Sequence, residues 1–435
     1  MHVLSADWVL PVGDEPIANG AVAIEDGEIA AVGSADDLGE GERFPEAAIV
    51  PGFVNAHAHL EYAVYAGFGD ALPFERWLLV HIERKRRLSE GDDVAIARVG
   101  ALESLGSGIT TVADASFTGA GALACAEVGL RAIVYLEVFG ERGDFADQWT
   151  SKRARVERAL SDRIRVGVSP HAPYSASTDL YAACLELGLP VATHLAESEA
   201  EREWLCEGTG AWEAFPARLP PHPGDTGIRV LARHELLAPS LVAAHCVKVD
   251  EEEIELLARA DVAVAHCPRS NAFLGCGIAP LADLLRAGVR VGLGTDSPAS
   301  TPSFDMFDEM RAAIAAARAR AARADALAAA DALELATLGS ARALGLASEI
   351  GSLAPGKRAD LAVVSLAGSV YLPWEDAAAA VVFGGSPERV LRTFVDGEAR
   401  YRKGGKGGFE WHELRHAAAR ARGRMLGAQR VAQKS

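Results

Sequence analysis

The sequence predicts an α/β protein, a (β/α)8 TIM barrel joined to a small β-sandwich domain that is built from both chain ends. Three observations lead to this prediction. Eight short apolar segments alternate with helical stretches over roughly 300 residues, which is the count for such a barrel. Nearly every apolar segment ends on a polar, chemically capable residue. Short strands and turns occupy both ends of the chain, and chain ends tend to be neighbours in space.

The two ends of the chain share a pattern of short apolar strands separated by turns. Residues 21–33 form two apolar segments around Asp26-Gly27, which is a hairpin signal. Residues 351–364 and 390–398 repeat the pattern of strand and turn. The expected domain limits are residues 1–50 plus 350–405 for the small β domain, 51–349 for the barrel and 406–435 for a C-terminal helix or tail.

The barrel is predicted from an alternation of apolar strands with segments rich in Ala, Leu, Glu and Arg. One of the helical segments, residues 313–330, is Ala-rich with spaced Arg and predicts a helix with a solvated basic face. The predicted strands are residues 53–56, 109–114, 132–137, 164–169, 191–194, 241–245, 262–266 and 291–296.

Composition excludes several classes of protein. The chain has 435 residues, of which 49% are hydrophobic, and this supports a large buried core. A net charge of −17 argues against a nucleic-acid partner, because binding phosphates requires a basic surface. The sequence contains no run of about 18 apolar residues, so no membrane span is predicted. The six cysteines form no Cys-x-x-Cys pair and the N-terminus lacks a targeting pattern, so we expect a cytoplasmic protein.

The polar residues at the strand ends are the main functional signal. The carboxyl ends of the strands of a closed parallel barrel converge on one mouth, so these side chains are expected to meet. Chance placement of 12 histidines would not put six of them at strand ends. The residues are His57, His59, Asp114, Glu137, His171, His194, His245, His266 and Asp296.

Part of this set is suited to a metal. His57 and His59 are two residues apart on an extended strand and therefore point to the same side. With His194 and Asp296 they supply three imidazoles and one carboxylate, and a catalytic metal needs three or four ligands and an open position. No lysine lies between Lys152 and Lys248 to bridge two ions at the end of the fourth strand, so one metal is predicted.

Three residues are predicted to carry out catalysis. Glu197 follows His194 by three residues and can lean over the mouth to protonate a substrate nitrogen, although a helix N-terminus also favours an acid at such a position. His245 and Asp296 can both accept a hydrogen bond or a proton from the water that the metal activates.

The motifs that hold these residues resemble the amidohydrolase superfamily, in its deaminase and chlorohydrolase branch. The resemblance implies that His57, His59, His194 and Asp296 bind zinc or, less often, iron. It also implies that Glu197 transfers a proton to a ring nitrogen and that His171 contacts substrate. The motifs are His57-Ala58-His59, residues 194–197, Ala244-His245-Cys246, residues 266–271 and residues 294–297.

The substrate is less well specified. Trp77, in the first long loop, is a plausible wall for a flat heterocycle, and Glu137, His171 and Ser297 are further predicted contacts. Residues 82–87 depart from the proline-x-glutamate pattern of adenosylhomocysteine/methylthioadenosine deaminases. Three segments look more like aminodeoxyfutalosine deaminases of menaquinone synthesis, whose substrate is an adenine nucleoside bearing a benzoate; they are residues 55–61, 135–140 and 267–271.

A benzoate calls for a guanidinium, and Arg269 or an arginine among residues 84–87 could supply it. Other aminated purines, guanine and triazine-type rings remain alternative substrates. A catalytically silent metal-binding barrel is the alternative outside enzymes. The family resemblance also makes a homo-oligomer possible.

Overall fold

The computed structural model describes residues 1–39, 41–213, 219–369, 376–404 and 411–427. Parts of the predicted C-terminal segment, residues 406–410 and 428–435, lie outside the described residues. The strands are β1 His2–Val9, β2 Ile17–Glu25, β3 Glu28–Ser34, β4 Glu42–Pro51, β5 Phe53–Ala58, β6 Ile109–Ser116, β7 Arg131–Val138, β8 Ile164–Pro170, β9 Val191–Leu195, β10 Leu241–His245, β11 Ala263–His266, β12 Arg290–Leu293, β13 Leu361–Ser365, β14 Val390–Val395 and β15 Glu398–Arg402.

Helices connect most of these strands. Short 3-10 turns occupy Leu60–Tyr62, Glu157–Ala159 and Pro387–Arg389, and a π-helical turn occupies Leu335–Gly339. The α-helices are α1 Ala35–Leu38, α2 Phe74–Lys85, α3 Glu90–Gly106, α4 Ala120–Val128, α5 Arg142–Val156, α6 Thr178–Leu185, α7 Glu199–Glu207, α8 Gly227–Arg233, α9 Glu251–Arg259, α10 Pro268–Phe273, α11 Leu281–Arg286, α12 Met306–Ala321, α13 Ala329–Glu334, α14 Ser340–Ala343, α15 Ala377–Gly384 and α16 Trp411–Met425.

The predicted barrel is confirmed. Within the described residues, β5 to β12 form one parallel sheet in chain order, and a bridge between Ala58 and Asp296 joins its two edges. All residues of β6 and β7 are buried, as expected for strands that are covered on both faces. Closure brings the carboxyl ends of all eight strands to one mouth.

The β domain from both chain ends is also confirmed. In the described part of the chain it contains one mixed sheet of seven strands in the order β15-β14-β13-β4-β1-β2-β3. The predicted hairpin at Asp26-Gly27 connects β2 and β3, and φ is positive at both turn residues, as a type I′ turn requires. The precise limits of the domains stay predictions.

A buried ion-pair network joins the small sheet to the barrel. Arg131, the first residue of β7, donates to the carboxylate of Asp360 through two nitrogens at 2.9 and 3.1 Å. The same guanidinium contacts Asp396 at 2.5 Å, and Arg163 also pairs with Asp396. Since Arg131 and Asp360 are both almost fully buried, each charge depends on the other for stability.

Helix α12 is shorter than the sequence predicts, and the C-terminal helix α16 packs against the barrel. The predicted helix over residues 313–330 is interrupted, because α12 ends at Ala321 and Ala322 adopts a left-handed φ of 49°. Helix α16 docks on the barrel through Arg422, which donates to the carbonyls of Val64 and Ala66. None of the helices in the described ranges combines the length and the apolar character needed to cross a membrane.

Candidate metal centre

Four side chains from distant parts of the chain meet at the mouth. His57 lies in β5 and His59 directly follows that strand, His194 lies in β9, and Asp296 follows β12. The ligating nitrogens of the three histidines lie within 4.8 Å of one another. Asp296 Oδ1 lies 3.9 Å from His57 Nε2 and 3.6 Å from His59 Nε2. The structure thus brings together the four residues predicted as metal ligands.

Backbone carbonyls set the tautomers of two of these histidines. His59 Nδ1 donates to the carbonyl of Ala115 at 2.8 Å, and His194 Nδ1 donates to the carbonyl of His171 at 2.9 Å. A carbonyl only accepts, so each ring must carry its proton on Nδ1 and present a lone pair at Nε2. The two Nε2 atoms then face each other at 3.2 Å. Two lone pairs at that distance repel, and a shared cation between them removes the conflict.

The rest of the donor set also fits a divalent cation. His57 Nε2 is buried and has no hydrogen-bond partner among the described residues. Burial, reinforced by the neighbouring histidines, lowers the pKa of His57 and His194 well below the usual value, so both are neutral and able to ligate. Imidazoles with one carboxylate suit zinc and, less selectively, iron.

Asp296 is oriented by two hydroxyl groups. Ser270 and Ser300 donate to Oδ2 at 2.7 and 2.8 Å, which leaves Oδ1 toward the histidines. Burial alone would raise the pKa of Asp296, but His59, His57 and His245 together with the Ser270 hydroxyl lower it to about 2. Asp296 is therefore a carboxylate over the whole neutral range.

A second group of possible ligands overlaps the first. Glu137, His171 and His194 also have donor atoms within 4.8 Å of one another. His194 Nδ1 is already donating to a carbonyl, so this histidine has only Nε2 to offer and can ligate one ion. The overlap agrees with the prediction of one metal.

Glu197 is buried next to the cluster. Burial, and next the charges of Asp296 and Glu201, raise its pKa well above the usual value. Its backbone N–H donates to Glu201 Oε2 at 2.8 Å, and the N–H of Ala196 donates to Oε1 at 3.0 Å. Ser198 caps α7 by accepting from the N–H of Glu201, so the first turn of this helix holds the segment that carries Glu197.

His245 completes the centre. Its Nδ1 contacts the side chain of Asn271 at 3.0 Å, and its Nε2 lies 3.6 Å from Glu197 Oε1. This Nε2 is buried and has no hydrogen-bond partner among the described residues, so it is free to bind water or substrate. Burial lowers the pKa of His245, which favours the neutral ring.

Backbone strain marks the same mouth. Non-glycine residues rarely adopt positive φ, yet φ is 53° at Ala196, 75° at His245 and 56° at Asp296. Each of these residues lies at or just beyond the end of a barrel strand. Strain of this kind persists only where the surrounding structure holds it, and it concentrates at functional sites.

Sequence reasoning missed several supporting residues. Asn55 exchanges two hydrogen bonds with Thr295, from its Nδ2 to Oγ1 at 2.7 Å and from the Thr295 N–H to its Oδ1 at 3.0 Å. Glu201 was missed as well, because an acid in the first turn of a helix is typical of any helix. The quoted motifs contained Asn55, Ser270 and Asn271, but only their partners across the barrel reveal their positioning contacts.

The predicted substrate residues lie around this centre. Trp77 is on α2 and not in a loop, and its indole N–H donates to the Ala299 carbonyl at 3.0 Å. Glu137 Oε1 lies 4.0 Å from His59 Nδ1, and the His171 ring is 4.8 Å from that of His194. Ser297 is buried directly after Asp296. Their roles toward a substrate stay predictions.

Several of the arginines predicted to meet a substrate carboxylate have contacts within the fold. The Arg269 guanidinium pairs with Glu309, whose side chain is fully buried, and donates to the Ser303 carbonyl at 2.8 Å. Arg84 lies over the Phe68 ring at 3.7 Å, and Arg87 pairs with Glu83. Arg269 therefore already has an ion-pair partner inside the fold, and its role toward a substrate carboxylate stays a prediction.

Comparisons with known proteins agree with this architecture. Residues 48–400 match the amidohydrolase family. A 5′-deoxyadenosine deaminase of Methanothermobacter thermautotrophicus is 33% identical over 404 residues, which cover 89% of this chain and 90% of the relative. A 5-methylthioadenosine/S-adenosylhomocysteine deaminase of Symbiobacterium thermophilum is 35% identical over 420 residues, or 92% and 93% of the two chains.

A solved structure extends the similarity to three dimensions. The crystal structure of an adenosine deaminase from Xanthomonas campestris with bound zinc superposes with a TM-score of 0.88. The two chains are 28% identical, and the match covers 98% of each. The likeness therefore includes the small sheet from both chain ends as well as the barrel.

Proposed function

This chain belongs to the amidohydrolase family, and we propose that it is a metal-dependent deaminase that removes the exocyclic amino group of an adenine nucleoside. It is a hydrolase that acts on carbon–nitrogen bonds other than peptide bonds. The observation that carries the proposal is the 3.2 Å approach of the Nε2 lone pairs of His59 and His194, next to the buried carboxyl of Glu197.

We assign one zinc ion, with iron as an alternative, to His57, His59, His194 and Asp296. The ion, when bound, brings the pKa of a water molecule close to neutrality and so provides a nucleophile at pH 7. The chain itself holds the four donors in place, through carbonyl acceptors behind two imidazoles and through hydroxyl donors behind the carboxylate.

We assign proton transfer to Glu197. Burial, and next the charges of Asp296 and Glu201, raise the pKa of this carboxyl well above its usual value, which favours the protonated form that can donate to the ring nitrogen beside the carbon under attack. His245 Nε2 and Asp296 Oδ1 both face the site and can accept a hydrogen bond or proton from the attacking water. Ammonia then leaves from the attacked carbon, which becomes a carbonyl carbon in the product.

Support for the adenine nucleoside comes from the relatives. The two curated relatives are described as deaminases of 5′-deoxyadenosine and of 5-methylthioadenosine/S-adenosylhomocysteine, which are adenosines altered at the 5′ position. Aminodeoxyfutalosine, predicted from the sequence, is also a 5′-altered adenine nucleoside and stays a candidate within this class. Its deamination would place the protein in menaquinone synthesis.

The test is ammonia release by the zinc-loaded protein from 5′-deoxyadenosine, adenosine, methylthioadenosine, adenosylhomocysteine, aminodeoxyfutalosine and guanine. We expect turnover of at least one adenine nucleoside and a much lower rate with guanine. Preference for guanine, or release of chloride from a triazine without ammonia from nucleosides, would reject the proposal. Silence on all substrates with zinc bound would favour a catalytically silent metal-binding barrel.

A further inference from the structure

Residues 60–69, here called the post-ligand segment, follow the metal ligand His59 and contain no regular element except the 3-10 turn Leu60–Tyr62. Their backbone N–H and C=O groups therefore lack the partners that a strand or an α-helix would supply. Side chains from other parts of the chain take over this role. Those side chains decide what holds the segment beside the metal centre.

The barrel and helix α2 hold the inner end of the post-ligand segment. The Leu60 N–H donates to Asp114 Oδ1, at the end of β6, at 2.8 Å. Glu61 pairs with Lys85, on α2, at 2.7 Å, and both side chains are buried. These contacts fix the two residues that come directly after His59.

The C-terminal helix holds the outer end of the same segment. Arg422, on α16, donates through one nitrogen to the Val64 carbonyl at 2.6 Å and through another to the Ala66 carbonyl at 3.2 Å. Its guanidinium carbon lies 4.4 Å from the centre of the Phe68 ring. A residue that is 358 positions from Val64 in the sequence thus satisfies the backbone of this end.

Helix α16 is itself fixed in place next to the segment. Ala421 and Met425 are fully buried in the main apolar core. The Met425 carbonyl accepts from Arg87 Nη1 at 2.9 Å, just beyond the end of α2. Arg424 pairs with Asp92 in the first turn of α3. Arg422 therefore reaches the post-ligand segment from a helix that is anchored to α2 and α3.

The outer end of the segment packs against Trp77, the predicted wall for a flat substrate. A Cβ atom on Gly69 would lie 2.8 Å from Trp77 Cδ1, so the backbone of the segment approaches the indole closely. The Tyr65 ring is 5.5 Å from the His81 ring, which in turn lies 4.5 Å from the Trp77 ring. Because a packed interior transmits displacements, a shift of the outer end moves Trp77.

We propose that Arg422 is a positioning residue of the active site, which holds the outer end of the post-ligand segment so that Trp77 keeps its place at the mouth. The inference rests on the proposed function for the reaction and adds the C-terminal helix to the parts on which substrate binding depends. Arg422 acts through the segment and α2 and is not a catalytic residue. Since β6 and Lys85 hold the inner end, loss of Arg422 affects substrate binding and spares the metal ligands.

Arg422→Met tests the proposal in the full-length, zinc-loaded protein. Methionine keeps an apolar stem but cannot donate to the two carbonyls. We expect KM for 5′-deoxyadenosine to rise about tenfold, the worth of one hydrogen bond to a charged group. The value of kcat and the zinc content should stay within about twofold of wild type, because Trp77 contributes to substrate binding and not to the chemical step. A fall in kcat without a rise in KM, or loss of zinc, overturns the proposal.

Hydrogen exchange, followed by mass spectrometry, gives a readout that does not need turnover. Within the segment the Tyr65 N–H donates to the Tyr62 carbonyl, and the Phe68 N–H donates to the Tyr65 carbonyl, each at 3.0 Å. In Arg422→Met we expect these amides to exchange at least about tenfold faster, because the segment opens more often. Amides of β6 should exchange as in wild type. Faster exchange across the whole chain, or no change in the segment, overturns the positioning role.

Two further variants separate the guanidinium from the helix that carries it. Arg420→Met removes an exposed arginine from the same helix and should leave both KM and exchange unchanged. Arg422→Lys replaces the fork of donors by a single ammonium, so we expect a smaller rise in KM, of about threefold. If Arg422→Met does not fold, Arg422→Lys takes its place. An unchanged KM in Arg422→Lys would then overturn the proposal, as would an equal rise in Arg420→Met.

Failure of this inference and failure of the proposed function give different results. If the wild-type enzyme deaminates 5′-deoxyadenosine but KM does not depend on Arg422, the reaction stands and the positioning role is wrong. If no nucleoside is deaminated, the exchange experiment decides alone. Loss of protection confined to the post-ligand segment and α2 then supports the positioning role without the reaction, and its absence overturns that role.

Discussion

The backbone N–H of Asp296 donates to the carbonyl of His57 at 3.0 Å, and this bond closes the barrel between its last strand and its first. The same two residues carry side chains that face each other at 3.9 Å in the candidate metal centre. The geometry of the centre therefore depends on closure of the fold. This coupling makes metal binding and folding stability mutually dependent.

Removal of a ligand should abolish tight metal binding. We expect His194→Asn to lower the zinc that remains after dialysis by roughly tenfold or more, because one of four donors is lost. Plasma emission spectrometry measures the zinc, and His234→Asn, at an exposed histidine after α8, is the control. Full zinc content in His194→Asn would contradict the assignment.

Glu197→Gln should retain zinc but lose turnover. A positioned proton donor contributes typically 10²- to 10⁴-fold, so we expect kcat for 5′-deoxyadenosine to fall by about that factor. Glu199→Gln removes an exposed acid two residues away and should have little effect. A Glu197→Gln enzyme with nearly full kcat would show that another group transfers the proton.

Glu103 should make stability depend on pH. Burial raises its pKa to about 6, above the ordinary value of 4.5, although the Phe304 N–H partly opposes this shift. The folded chain holds the proton more tightly, so the contribution of Glu103 to the unfolding free energy is fully present below pH 4.5. It is lost as the pH rises through about 6, with a total loss of roughly 2 kcal/mol.

Glu103→Gln removes this titration. Relative to wild type, the variant should gain about 2 kcal/mol of unfolding free energy between pH 4.5 and pH 7. Denaturant unfolding at several pH values measures the unfolding free energy of the variant and of wild type. Subtracting one from the other removes the contributions of the other groups that titrate in this range, because both proteins contain them. Glu127 pairs with Arg98 on the surface, and the Glu127→Gln variant is the control. Its unfolding free energy should change with pH in the same way as that of wild type. If the unfolding free energies of Glu103→Gln and wild type changed with pH in the same way, the raised pKa assigned to Glu103 would be refuted.

Arg269 should matter for stability and not for substrate charge. Arg269→Met leaves the buried Glu309 carboxylate without its cation and should cost about 3–5 kcal/mol of unfolding free energy. The double variant Arg269→Met/Glu309→Leu should recover much of that loss, because no unpaired charge remains. A selective rise in KM for a carboxylated nucleoside in the double variant would instead support the predicted role of Arg269 in binding a substrate carboxylate.

The pattern of the sequence was sufficient for the barrel, the small sheet and the position of the ligands along the chain. Strand periodicity and turn residues are local properties, so the predicted strand at residues 241–245 coincides with β10, and Asp26-Gly27 makes the predicted turn. The i, i+2 spacing of His57 and His59 places both on one side of a strand whatever surrounds it.

Only the tertiary structure decided which partners each side chain has. Nothing local distinguishes Arg269, which pairs with the buried Glu309 on α12, from Arg98, which pairs with Glu127 at the surface. The carbonyls that fix the tautomers of His59 and His194 belong to other strands, and Glu201 acquires its role by accepting two N–H groups of the preceding loop. Burial and pairing across large sequence separations depend on the closed fold, because the desolvation that makes each charge costly arises only when the chain is packed.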